Sequence, residues 1–124
     1  MKLLLDVHTV LWFTQADARL SANAHSAIVE PANTVLLSAV VPWEIAIKRA
    51  LGKLDAGDDY LQVLTEAGAT ELPVTIAHAQ AVERLPRHHG DPFDRLLVAQ
   101  AQVEDATILT GDPRIHQYAV ATLW

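Results

Sequence analysis

The chain has 124 residues, 51% hydrophobic and 19% charged, with a formal charge of −6 and no cysteine. These values fit one globular domain over residues 1–124, able to bury a core without staples, and exclude a disordered chain. They also exclude disulfides, thiolate metal sites and a thiol nucleophile, and the acidic balance is not that of a general nucleic-acid coat protein.

The opening run Lys2–Leu5 reads as a buried strand, too short for a signal peptide because Asp6 interrupts it at once. No stretch approaches the roughly 20 apolar residues that cross a bilayer, so a soluble, cytoplasmic protein without a membrane partner is expected. Val7–Phe13 is predicted as a helix, and Ser21–Glu30 as another with Ser21 as its N-cap. Pro31-Ala32-Asn33 breaks the chain before a second strand, Thr34–Ser38.

Val40–Leu51 is predicted helical from its Trp43, Ile47 and Ala50/Leu51 stripe, with Gly52 as the stop. Asp58–Ala67 reads as an amphipathic helix, Ala69–Leu72 as a short strand and Ile76–Leu85 as a further helix. Asp91–Glu104 is the clearest helix of all, with Asp91 and Pro92 as N-cap and first helical residue. Thr107–Thr110 and Tyr118–Thr122 close the set as strands. Strands alternating with helices favour an α/β fold, a parallel sheet covered by helices on both faces. Ligands in such folds sit outside the carboxyl ends of the strands.

That rule gathers four acids. Asp6 ends the first strand, and Asp112 follows the Thr107–Thr110 strand across a glycine. Glu44 and Asp94 lie in the first turns of their helices. Four uncompensated carboxylates at one edge would take up protons or bind cations. Oxygen-only ligation points to Mg²⁺ or Mn²⁺, and hydrolysis of a phosphodiester is the chemistry such a site serves best. Each acid also has a structural use. Asp6 can cap a helix, and Glu44 can pair with Lys48 at i, i+4. Asp112 can start a turn. Asp94 lies on the apolar flank that carries Leu97, Val98 and Ala101, where a carboxylate needs a partner or a metal.

Four blocks carry a resemblance. They are Leu3-Leu4-Leu5-Asp6-Val7-His8, then Ser38 with Trp43-Glu44-Ile45-Ala46-Ile47-Lys48, then His89 to Ala101 with Asp91-Pro92-Phe93-Asp94-Arg95, and Leu109-Thr110-Gly111-Asp112. In order and spacing they resemble the PIN domain, and the third block is close to one branch of the VapC toxins. The resemblance implies a three-layer α/β/α fold with a roughly five-stranded, mostly parallel sheet. It implies a Mg²⁺-dependent endoribonuclease with Asp6, Glu44, Asp94 and Asp112 around the metal. A cognate antitoxin that occludes the site, an RNA substrate and a homodimer follow from it as well. One departure is Val40-Val41-Pro42 before Trp43, where relatives carry small residues without proline, which bears on the reach of Glu44.

Around the acids, His8, Ser38, Arg95 and Thr110 are expected to support them or touch substrate. The basic segment with Arg84, Arg87 and His89 is expected to meet the RNA backbone. Trp12, Trp43 and Trp124 read as core or interface residues. Two rival readings remain at this point. The run from Asp6 to Val10 faintly resembles haloacid-dehalogenase-like phosphatases with Asp6 as nucleophile, although those carry a second Asp where His8 stands. A non-catalytic module could instead use its acids to receive a partner's arginines.

Overall fold

Each strand of the chain is short and apolar, and each has a helix or long crossover after it, so the strands have little choice but to lie parallel. A computed structural model describes residues Met1–Trp124. It contains strands β1 (Lys2–Leu5), β2 (Thr34–Ser38), β3 (Thr70–Leu72), β4 (Thr107–Leu109) and β5 (Thr122–Leu123). The helices are α1 (Val7–Thr14), α2 (Ala22–Val29), α3 (Val40–Ala50), α4 (Tyr60–Glu66), α5 (Ile76–Ala81) and α6 (Pro92–Glu104).

The five strands form one sheet in the order β3-β2-β1-β4-β5. All four pairings are parallel, so the expected mostly parallel sheet is wholly so, in a PIN-like α/β/α arrangement. The chain winds outward from β1 through β2 to β3, then crosses to β4 on the other side of β1. The strand order therefore reverses between β1 and β4, and ligand crevices of open α/β sheets open at such a reversal. Asp6 and Asp112 leave the sheet on either side of it. No helix is long and apolar enough to cross a membrane.

Local chemistry sets the helix ends. Ser21 Oγ accepts from Ala24 N at 3.0 Å, the cap expected for α2. Pro42 lies in the first turn of α3, where its missing N–H is no loss, and the helix runs on undisturbed to Ala50. Gly52 takes φ +68 just past that helix, and Lys53 N–H closes the motif on Lys48 O at 2.8 Å. Asp91 Oδ1 accepts from Phe93 N and Asp94 N, with Pro92 as the first residue of α6. At the other end of α6, Asp105 turns the chain at φ 52, ψ 48 directly into β4. Hence α6 runs antiparallel to β4, and its first turn lies at the carboxyl edge of the sheet. Leu97, Val98 and Ala101 bury its inner face completely or nearly so.

Four expectations are corrected. The helix over Ile76–Leu85 ends at Ala81 and tightens into a 3₁₀ turn at Val82–Arg84. Leu85, held extended before Pro86, cannot continue it. The helix over Asp58–Ala67 starts only at Tyr60, and the strand after it at Thr70. The last strand is not Tyr118–Thr122 but Thr122–Leu123. Tyr118 is spent on side-on contacts with His88 and His89, and a tight turn from Val120 N to Tyr118 O prevents an extended run.

Asp105 is an L-residue in left-handed backbone, so Asp105→Gly should relieve strain without touching the carboxyl edge. Urea denaturation should show a gain of at most about 1 kcal/mol, the relief of left-handed strain less the entropy glycine adds to the unfolded chain. A loss of stability would mean that the Asp105 side chain does more than turn the chain.

Candidate active site

Asp6 meets the sheet edge with both carboxylate oxygens engaged. Oδ1 accepts from Thr9 N at 2.8 Å, capping α1, and Oδ2 accepts from the Thr110 hydroxyl. The same Thr110 Oγ1 accepts from Asp112 N at 3.0 Å, so one buried hydroxyl fixes Asp6 and the start of the Asp112 turn together. Thr9 adds a second tie, donating through Oγ1 to Leu109 O at 2.7 Å. Asp6, His8 and Asp112 then line one cavity of about 230 Å³, with Thr9, Trp12, Gly111 and Pro113.

Glu44 is 2% exposed. Its Oε2 takes Lys48 Nζ at 2.5 Å, the expected i, i+4 pair, while Oε1 is buried with no hydrogen-bond partner at all. A buried carboxylate oxygen without a donor is costly. Asp94 is 6% exposed and stands 3.4 Å from Arg114 Nη2 and 3.8 Å from His89 Nε2. Burial first, then the negative charges of Asp91, Glu44 and Asp112, pushes its carboxyl up to about 7, against the opposing pull of Arg114. Asp112 goes the other way. Hydrogen bonds from Arg114 hold it below the usual carboxylate range, burial notwithstanding, with smaller help from its backbone and from His8. The repulsion that Asp94 feels from both Glu44 and Asp112 shows that the acids share one field.

The acids are thus brought to one edge, but no group of three Asp, Glu or His side chains is positioned to hold one ion as the side chains stand. Two cations of the chain explain the spacing, because Lys48 holds Glu44 while Arg114 holds Asp94 and Asp112. The residues nevertheless fit a divalent ion. Their donors are hard oxygens, and the orphaned Glu44 Oε1 lacks the cation that would satisfy it.

The neighbours divide. His8 is exposed beside the cavity and packs against Trp12 at 5.6 Å. Ser38 is fully buried, its hydroxyl on Gln100 Oε1 at 2.5 Å and on Val40 N at 3.0 Å. It ties the start of α3 to α6 and is closed to substrate. Arg95 is buried as well, donating to Pro86 O, Tyr118 Oη, Val82 O and Leu85 O. It clips down the basic segment and does not reach into the acid cluster. On that segment Arg84 and Arg87 are exposed, whereas His89 is turned inward between Tyr118 Oη and Asp94. Trp12 and Trp124 meet edge-on at 5.8 Å beside Gly111, where a Cβ would come within 2.8 Å of the Trp124 ring. Trp43 is half exposed and lies edge-on to Phe93 at 4.9 Å. Sequence reading missed Arg114, whose only signal is its place two residues after Asp112.

A family model described as PIN domain matches residues 3–121. The chain belongs to the PIN domain family. PIN domains are nucleases that in general use divalent metal ions, so this PIN domain is a hydrolase acting on nucleic acid. The match removes the phosphatase alternative, and both oxygens of Asp6 are held by hydrogen bonds. Among solved structures, a chain of the VapBC2 complex from Rickettsia felis, bound to a DNA fragment from its promoter, is similar in fold. The TM-score is 0.72 at 13% identity, over 99% of this chain and 98% of that one. No curated protein matches the chain.

A raised Asp94 has a thermodynamic consequence. The folded state holds its proton more tightly than the unfolded chain, so the penalty for ionising it is absent below about 3.8 and complete above about 7. Without metal, stability should therefore fall as pH rises between those values, by on the order of 4 kcal/mol at most. Asp94→Asn should flatten that slope and melt no lower than the unaltered protein at pH 7. Thermal melts in EDTA across pH 4–8 decide it, and an unchanged slope in the variant would place the titration elsewhere.

Proposed function

We propose that this PIN domain is a Mg²⁺- or Mn²⁺-dependent endoribonuclease, the toxin of a type II toxin–antitoxin pair of the VapC kind. The observation that carries the reading is the buried, partnerless Glu44 Oε1 beside an Asp94 pushed up to about 7. The first is an acid oxygen without the donor or cation that would satisfy it, and the second is raised by burial first and by neighbouring acids after it. Asp6, Glu44, Asp94 and Asp112 would hold the ion. When bound, it supplies a water of lowered pKa and neutralises charge building on the phosphate oxygens.

The chain's own residues do the rest. Thr110 and the Thr9 amide fix Asp6 in one orientation. Asp91 caps α6 so that Asp94 enters the cluster from a rigid first turn. Exposed Arg84 and Arg87, on the segment that Arg95 clips beside α6, would meet the backbone of a bound strand. Inward-turned His89 would act on Asp94 instead of on RNA.

An antitoxin partner is part of the same proposal. The fold is similar to a chain of a VapBC complex, and Asp112 already accepts a guanidinium in forked geometry, with one of its nitrogens reaching Asp94. An arginine brought by a partner would compete for the same oxygens. A homodimer in the cytoplasm completes the reading.

The test is cleavage of total RNA by purified protein with Mg²⁺ or Mn²⁺, with and without EDTA. Cleavage should vanish with chelation. Asp94→Asn and Asp6→Asn should each cost more than the ~10–100-fold that loss of an outer-shell partner costs a metal site. Chelator-resistant cleavage would overturn the metal mechanism. Absence of both metal binding and cleavage, with retained binding of an arginine-bearing partner, would favour a non-catalytic module.

A further inference from the structure

Arg114 is the one Lys or Arg side chain within 4.0 Å of Asp94 or Asp112. Its Nη2 lies 2.9 Å from Asp112 Oδ2 and 3.4 Å from Asp94 Oδ2. Its Nε reaches both Asp112 oxygens at 3.2 and 3.3 Å, and its backbone N–H adds a bond to Oδ1 at 2.9 Å. The guanidinium therefore bridges an acid at the end of β4 to an acid at the start of α6.

This contact differs from that of Lys48, which holds Glu44 within one helix and leaves Oε1 free. Arg114 occupies oxygens on two acids at once, and those are oxygens that a shared ion would need. Its side chain is nevertheless 52% exposed, and Pro113 stiffens the backbone behind it, so the arm can leave while the turn stays. A guanidinium that forks onto carboxylates forks equally well onto a phosphate. The cavity lined by Asp6, His8, Asp112 and Pro113 opens beside it.

We propose that Arg114 is a phosphate-holding residue of this site, parked on Asp94 and Asp112 in the metal-free chain, which it yields to a divalent ion before turning to a nucleic-acid strand. The phosphate half rests on the nuclease reading. The displacement half rests only on that reading's metal site.

The experiment compares the full chain with Arg114→Ala and Arg114→Lys. Mn²⁺ binding by calorimetry should tighten several-fold in Arg114→Ala. It should also tighten in Arg114→Lys, which keeps the charge but loses the fork. Mn²⁺ affinity unchanged or weakened in Arg114→Ala overturns displacement. So does an Arg114→Lys that binds like the unaltered chain, because a field effect alone would then explain the alanine result. If Arg114→Ala fails to fold by circular dichroism, the lysine variant carries this arm.

In saturating Mn²⁺, a short 2′-O-methyl RNA should bind Arg114→Ala more weakly. The dependence of log affinity on log salt should become shallower by roughly 0.7, the value for one phosphate contact on a single strand. Equal affinity and slope in variant and parent would overturn the phosphate role. If the parent binds Mn²⁺ but no oligonucleotide, the nuclease reading fails and the phosphate half with it, while the Mn²⁺ arm still judges displacement.

Discussion

Burial of carboxylates, with other acids close by, is the constraint on which the candidate site turns. Asp6, Glu44 and Asp94 are buried, and Asp112 is joined to Asp94 through the guanidinium of Arg114. An all-parallel sheet brings Asp6 and Asp112 to one edge, because every strand ends there, while Glu44 and Asp94 come from helices. The cost shows in Asp94, whose carboxyl is pushed up to about 7, and in a Glu44 oxygen with nothing to bond to. A protein that only needed stability would place apolar residues at such positions.

The structural and the chemical uses of these acids are not alternatives. Asp6 caps α1 through one oxygen and takes the Thr110 hydroxyl on the other, so the cap is also the device that orients it. Glu44 makes the surface-type pair with Lys48 and still leaves an oxygen inside. Asp112 closes a local turn with the amide of Arg114, and the same residue's guanidinium links it to Asp94. Orientation by short local bonds is what a site needs if its geometry is to hold to a fraction of an ångström.

What was legible in the sequence follows from what is local or periodic. β1, β2 and α6 could be read because a buried strand is a short apolar run and a helix announces its cap and its apolar flank. Asp94 could be singled out from Leu97, Val98 and Ala101 alone, since helical spacing fixed its face. The end of the chain was misread because Tyr118-Ala119-Val120 has the composition of a strand, while its tyrosine is held by His88, His89 and Arg95 from far away in sequence. Arg95 and His89 were misplaced for the same reason. A charged side chain beside a motif says nothing about which way it points, and long-range carbonyls such as Pro86 O decided that. Arg114 was invisible because its significance lies in Asp94, which comes from another element.

The two cations also explain how the cluster can exist before any ion binds. Metal sites in small domains often hold the fold together, so the metal-free chain unfolds. Here the hydrophobic core is a connected cluster of 25 buried residues that includes none of the acids. Lys48 and Arg114 then each relieve part of the repulsion at the surface of that core, one within its own helix and one across elements. Asp94 nevertheless stays high despite Arg114, through burial first and the neighbouring acids second. The residual imbalance is a standing preference for a further positive charge, and a divalent ion or an incoming guanidinium satisfies it equally in sign. They differ in geometry, because an ion draws several oxygens inward while a planar fork bridges two of them.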